Sequence, residues 1–92
     1  MILNEQEITN AICLHYGERV GVPPTAVDVQ LMWDEEQGFS GQIWIGERTQ
    51  IIVPANILEA VAQYLFKERG LRVFQDQIHL ELEDEIYARI DV

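Results

Sequence analysis

The chain has 92 residues, of which 48% are apolar, and its 16 acidic and six basic side chains give a formal net charge of −10. This apolar content, ordinary for globular proteins, predicts one folded domain over residues 1–92. The negative charge repels nucleic-acid phosphate and anionic lipid, so we expect neither nucleic acid nor a membrane as a partner. The single cysteine, Cys13, excludes an internal disulfide, and the sequence has no run of ~20 apolar residues. Both features predict a cytoplasmic protein.

A first helix is predicted from about Glu5 to Glu18. Asn4 followed by Glu7 matches a capping box, in which each residue satisfies a free backbone amide of the other. Gly21 and the prolines that follow it stop the helix. Its apolar residues recur at helical spacing and predict one buried stripe of Ile8, Ala11, Ile12 and Tyr16.

Two strands joined by an acidic turn are predicted between residues 27 and 45. Apolar residues alternate with polar ones along both segments, which indicates one buried face. A shorter strand from Gln50 to Val53 follows, and Pro54 ends it. The buried face of the first strand is predicted to carry Val27, Val29, Leu31 and Trp33.

A second helix is predicted from about Ala55 to Arg69, with Gly70 as its left-handed cap. Alternating residues then cover 78–82 and 86–92. We interpret them as a hairpin bent at residues 83–85, although one uninterrupted strand would show the same alternation.

The order of these elements predicts an α+β fold. A two-layer sandwich, with both helices on one face of an antiparallel sheet of four to five strands, would bury the apolar stripe of each helix and the apolar face of each strand. The helix-strand-strand order occurs twice, over about residues 4–45 and 55–92, and therefore predicts pseudo-duplicated units. A shift of 49 positions lays Ile8, Ala11, Gly21, Leu31 and Glu36 on Ile57, Ala60, Gly70, Leu80 and Glu85.

The outer face of the predicted sheet offers a candidate interface. An aromatic and methionine cluster with an arginine nearby is typical of protein interfaces. We therefore predict a homodimer or another protein partner, bound through this face or through a strand edge. The predicted interface residues are Trp44, Met32, Tyr87, Arg89 and Gln42.

His79, Glu81 and Glu83 share one strand face at alternate positions, and they form a weak candidate site for zinc or manganese. A solvated acidic strand shows the same pattern. A third reading takes the net charge as the sign of an acidic regulator that binds a basic protein surface.

No catalytic residue is predicted, because the sequence has no Ser-His-Asp order, phosphate-binding glycine loop or dinucleotide fingerprint. These absences favour a non-enzymatic protein, and no cofactor is predicted.

Four segments resemble a known family: Asn4-Glu5-Gln6-Glu7-Ile8, the strand from Asp28 to Asp34, the strand from Gly38 to Ile45, and Ala55-Asn56-Ile57-Leu58-Glu59-Ala60. The chain is similar to the YxcD-like family of small, uncharacterised proteins from Gram-positive spore-forming bacteria. The resemblance implies a bacterial cytoplasmic protein of unknown activity. It supplies no site residues, so the candidate sites rest on the residues themselves.

Overall fold

A computed structural model describes all residues, 1–92, and shows an α+β fold of two helices and six strands. Short 3₁₀ turns precede β2 and β5, at Pro24–Ala26 and Gln75–Gln77. In chain order the elements are β1 (Ile2–Leu3), α1 (Glu5–Val20), β2 (Val27–Asp34), β3 (Gly38–Ile45), β4 (Arg48–Ile52), α2 (Pro54–Arg69), β5 (Ile78–Leu82) and β6 (Ile86–Ile90).

Helix α1 begins at the predicted capping box. The Asn4 side chain accepts from the Glu7 amide at 2.8 Å, and the Glu7 carboxylate accepts from the Asn4 amide at 3.3 Å. The helix continues two residues beyond the predicted end, to Val20, and stops at Gly21 with φ 85°. Neither α1 nor α2 has the length and apolar character needed to cross a bilayer.

Helix α2 begins with Pro54, whose fixed φ and missing amide hydrogen suit the first helical position. The Asn56 side chain accepts from the Val53 amide at 3.0 Å. Gly70, at φ 62°, ends the helix as predicted.

The strands form two three-stranded antiparallel sheets, so the prediction of one sheet of four to five strands is wrong. Sheet I has the order β2-β3-β4, and sheet II has the order β1-β6-β5. Strands β5 and β6 form the predicted hairpin, with Leu80 opposite Ala88. Each hairpin takes its third strand from the segment that precedes a helix. One of these segments, β1, has only two residues and gives no alternation to detect.

The chain crosses between the sheets twice. Strand β1 precedes α1 but pairs with β6, whereas β4 precedes α2 but pairs with β3. The Ile90 amide donates to the Met1 carbonyl at 2.8 Å, which joins the first and last strands. The order strand, helix, 3₁₀ turn, hairpin therefore occurs twice. A duplication behind this order stays a prediction.

One contiguous core of 16 buried residues joins both helices and both sheets. Leu3 and Ile52, on the two short strands, are fully buried in it. Trp33 was predicted to be buried and is 47% exposed, because it lies opposite Phe39 beside the hairpin turn, at the far end of β2. Strand parity was correct, but the core does not extend to this end of the hairpin.

Candidate interaction surface

The solvent side of sheet I carries three of the five predicted interface residues. Trp44 lies on the central strand β3, opposite Asp28 on one side and Thr49 on the other. Gln42 lies opposite Gln30 and Ile51, and Met32 lies opposite Ser40. We call this surface the Trp44 face and define it as Asp28, Gln30, Met32, Ser40, Gln42, Trp44, Thr49 and Ile51.

Ile51 belongs to the Trp44 face and was not found by sequence reasoning. Its neighbour Ile52 is fully buried, so Ile51 points to the other side of β4 and is 57% exposed. The signal in the sequence was a pair of adjacent isoleucines on a short strand. Which one faces solvent depends on where α2 packs.

The Trp44 face is almost free of charge. Asp28 is its only charged residue, although the chain as a whole carries 16 carboxylates. Asp34, at the end of β2, is engaged in the turn, where its side chain accepts from the Glu36 amide at 2.7 Å and the Gln37 amide at 3.2 Å. A nearly neutral surface that carries Met32, Trp44 and Ile51 among uncharged polar residues, on a strongly acidic protein, has the composition of a non-obligate contact surface.

The other two predicted interface residues, Tyr87 and Arg89, lie on sheet II rather than beside Trp44. Arg89 contacts Asp91 at 2.9 Å and Glu81 at 3.5 Å, and His79 contacts Asp91 at 2.8 Å. We call this surface, defined by His79, Glu81, Tyr87, Arg89 and Asp91, the ion-pair face. Because these groups already satisfy one another, the ion-pair face is less suited to bury against a partner than the Trp44 face.

The ion-pair face shifts the titration of its own members. Glu81, directly across the hairpin, and Glu83, which accepts from the Tyr87 hydroxyl at 3.3 Å, raise the pKa of Tyr87 to about 12. The Tyr87 hydroxyl in turn lowers the pKa of Glu81, and the hydrogen bond from His79 lowers the pKa of Asp91. These directions stabilise neutral Tyr87 and ionised carboxylates at neutral pH.

The predicted metal ligands do not converge. His79 pairs with Asp91, Glu81 contacts Arg89, and Glu83 accepts from Tyr87. No group of three His, Cys, Asp or Glu side chains is arranged to hold a metal ion. The metal-site prediction therefore gains no support from this arrangement.

Cys13 also offers no reactive centre. Its sulfur donates to the Val27 carbonyl at 3.3 Å, and burial raises the pKa of the thiol, which keeps it protonated and unreactive.

Comparison with known proteins agrees with the resemblance found in the sequence. Residues 1–85 match the model of a family described as "Protein of unknown function (DUF2653)". The chain is also similar to the "Uncharacterized protein YxcD" of Bacillus subtilis (strain 168), with 30% identity over 66 residues. This match covers 71% of the chain and 65% of that relative's length. No solved structure matches. Because the family model covers nearly the whole chain, this protein belongs to the family described as "Protein of unknown function (DUF2653)".

Proposed function

We propose that this protein is a single-domain, non-enzymatic interaction module of the cytoplasm, and that its Trp44 face binds a second copy of the chain. The observation that supports the proposal is the position of Trp44 in sheet I. Trp44 lies on the central strand of sheet I, diagonally across from Ile51 on β4, on the side of the sheet opposite the buried Ile43.

The charge distribution favours a second copy as the partner. Two molecules with a net charge of −10 repel each other at most approach angles. The repulsion is weakest where the surfaces that meet are neutral, and Asp28 is the only charged residue of the Trp44 face. A basic partner, by contrast, would be drawn to the acidic turns at residues 34–36 and 83–85.

The position of Trp44 also suits a symmetric interface. In a two-fold dimer the same patch faces itself, so Trp44, on the central strand of the sheet, would contact the partner in both copies. Tryptophan at the centre of an interface is among the strongest contributors to binding, because its large ring loses much water-exposed area. Ile51 extends the apolar contact beside it, and Met32 adds a second apolar contact further along the sheet.

Replacing Trp44 with glutamate tests the proposal. We expect Trp44→Glu to fold as a monomer, because the substitution places one negative charge from each copy in the interface. The dissociation constant of the dimer should rise by at least about 30-fold. Light scattering coupled to size exclusion measures the mass, and circular dichroism confirms the fold. The matched control is Trp33→Glu, on the opposite side of sheet I, which should remain dimeric.

A second pair of variants has nearly identical exposure. Ile51 is 57% exposed on the Trp44 face, and Ile2 is 56% exposed on sheet II. Ile51→Glu should dissociate the dimer, whereas Ile2→Glu should not. A wild-type chain that stays monomeric at high concentration would refute self-association, and an unfolded Trp44→Glu would mean that the indole belongs to the core.

The acidic-regulator prediction differs from self-association in its response to salt. A complex held by opposite charges weakens steeply as ionic strength rises. A dimer formed through the Trp44 face should persist or tighten, because salt screens the repulsion between two acidic molecules. Light scattering at low and high sodium chloride separates the two functions.

A further inference from the structure

A groove lies on the helix-facing side of sheet I, on the side opposite the Trp44 face. Ile43 and Ile45 form its floor, and Tyr16 and Val20 of α1 form one wall. Arg48 and Gln50 of β4 form the other wall, with Arg48 opposite Ile45 and Gln50 opposite Ile43. Ile43 is buried in the core, whereas Ile45 is only partly buried and leaves the floor of the groove open to solvent.

The charges around the groove differ from those of the rest of the molecule. No acidic residue lines it, although the chain has 16 of them. Arg48 forms no ion pair, whereas Lys67, Arg69 and Arg89 are each paired with carboxylates. Arg19 also forms no ion pair and lies over the Tyr16 ring, 5.8 Å from its centre. The groove is thus lined by one unpaired cation and by no carboxylate, on a protein that is strongly acidic overall.

Tyr16, in one wall of the groove, carries no negative charge at neutral pH. Burial raises the pKa of Tyr16, the charge of Glu59 raises it further, and the opposing charge of Arg19 does not cancel these effects. The hydroxyl therefore stays protonated and presents a neutral surface to whatever enters the groove.

We propose that this groove binds a small amphiphilic carboxylate, with its apolar body on Ile43, Ile45 and Val20 and its carboxylate at Arg48. An apolar floor with one convergent cation and an amide is the general composition of a site for such a molecule. The Gln50 amide supplies a neutral hydrogen-bond donor beside the guanidinium. The charge complementarity is specific, since Arg48 is the only charged residue that lines the groove.

The size of the groove limits the ligand. Its volume of about 260 Å³ lies just below the usual range of small-molecule pockets. It therefore suits a medium-chain or aromatic carboxylate of roughly a dozen non-hydrogen atoms. For a ligand with this number of non-hydrogen atoms we expect a dissociation constant of about 0.1–1 mM.

Titration with sodium octanoate, followed by amide chemical shifts, tests the proposal. We expect saturable shifts at Tyr16, Val20, Ile45 and Arg48. Octan-1-ol, which has the same chain length and no charge, should bind at least several-fold more weakly. Equal affinity for both probes would show that Arg48 does not recognise the carboxylate, and an absence of saturable shifts would refute the site.

Arg48→Glu provides the decisive variant, with Arg72→Glu as its control. Both arginines are exposed, form no ion pair and change the net charge equally when replaced by glutamate, but Arg72 lies over Phe66 and does not line the groove. Arg48→Glu should weaken octanoate binding by about ten-fold, and Arg72→Glu should leave it nearly unchanged. Equal effects of the two variants would mean that only net charge matters and would overturn the proposal.

A second copy of the chain is the competing occupant, because its acidic turns could reach the groove. In Trp44→Glu, which should not form the proposed dimer, shifts of Ile45 and Arg48 with protein concentration, in the absence of octanoate, would show this and refute a small-molecule site. Because the groove shares only Thr49 with the Trp44 face and its other lining residues lie elsewhere, a monomeric wild type would refute the proposed dimer while leaving octanoate binding intact.

Discussion

Gly17, in the last turn of α1, is where the chain passes closest to its own helix. Its carbonyl accepts from the Gly21 amide at 2.8 Å and the Val22 amide at 2.9 Å. A Cβ atom at position 17 would lie 2.8 Å from the Val22 carbonyl oxygen. Only glycine therefore lets the chain fold back over α1 on its way to β2.

We expect Gly17→Ala to lower the free energy of unfolding by about 1–3 kcal/mol, because the methyl group forces the Val22 backbone to move. Helix propensity alone predicts the opposite sign, a gain of roughly 1 kcal/mol. Urea denaturation gives the answer directly. A stabilised variant would show that the segment after α1 adjusts without cost.

His15 is the one buried polar side chain with an unpartnered nitrogen. It is 7% exposed, its Nε2 atom has no hydrogen-bond partner, and it lines a cavity between α1 and α2. Its ring contacts Tyr16 edge-on, with the ring centres 5.1 Å apart. Burial of an unsatisfied nitrogen costs stability that an apolar ring would not.

His15→Phe should therefore raise the free energy of unfolding by about 1 kcal/mol, because phenylalanine keeps the ring contact and removes the buried nitrogen. Thermal or urea denaturation measures the change. The control is His79→Phe, on the exposed ion-pair face, which should give no gain. A loss of stability in His15→Phe would indicate that the nitrogen is satisfied by water in the cavity.

Among individual residues, the contacts that could be predicted from the sequence are those between residues close together along the chain. The bond between Asn4 and Glu7 spans three residues, so the capping box was readable without the fold. Leu31 and Leu80 were predicted as equivalent core positions, yet both are only partly buried. Their burial depends on how far the helices extend over each hairpin, and no local pattern encodes that.

Among the elements, α2 has a weaker start than α1. Val53 precedes the helix and is 52% exposed, but its side chain has no atom that can accept from the first turn. Only the reverse bond is present, from the Val53 amide to the Asn56 side chain. The corresponding position of α1 is Asn4, which caps that helix fully.

Val53→Ser should raise the free energy of unfolding by up to about 1 kcal/mol, because the hydroxyl can accept from a free amide of the first turn. The complementary change, Asn4→Ala, should lower it by about 1 kcal/mol. Both are measured by urea denaturation. If Val53→Ser destabilises the chain, the valine side chain contributes more by packing than the serine does by capping.

The sheets show why elements were predictable and their assembly was not. Each hairpin could be predicted because apolar and polar residues alternate over five to eight residues in each of its strands. The third strand of sheet II has two residues, and its partner lies at the other end of the chain. The distance in sequence from helix to hairpin also differs between the two halves of the chain, because two more residues separate α2 from β5 than separate α1 from β2. The candidate site was split for the same reason, since Trp44 and Tyr87 were predicted on one sheet and lie on two.

For the whole molecule, the net charge of −10 sets the balance between attraction and repulsion. We expect the unfolding temperature to rise as sodium chloride increases from about 0.01 to 0.15 M, because the Debye length falls from roughly 30 to 8 Å and the carboxylates repel less. Differential scanning calorimetry measures this.

Two variants indicate which carboxylates are responsible. Glu35→Gln, in the exposed acidic turn, should raise the unfolding temperature at low salt. Glu7→Gln should not, because Glu7 pairs with Arg69 at 2.8 Å. An unfolding temperature that falls with salt would mean that the ion pairs outweigh the repulsion.

Met1 and Ile90 exchange two hydrogen bonds, since the Ile90 amide donates to the Met1 carbonyl and the Met1 amino group donates to the Ile90 carbonyl, so residues 1 and 92 lie near each other. If a short linker joined Val92 to Met1 and the chain were opened in the turn between β3 and β4, the new order would be β4, α2, β5, β6, β1, α1, β2, β3. That order again reads strand, helix, hairpin twice. The pairing of β1 with β6, now the most distant in sequence, would become a short connection, and the pairing of β3 with β4 would become the distant one. A circular permutant of this kind keeps the same balance of local and distant contacts, so its folding rate should differ little from that of the natural order.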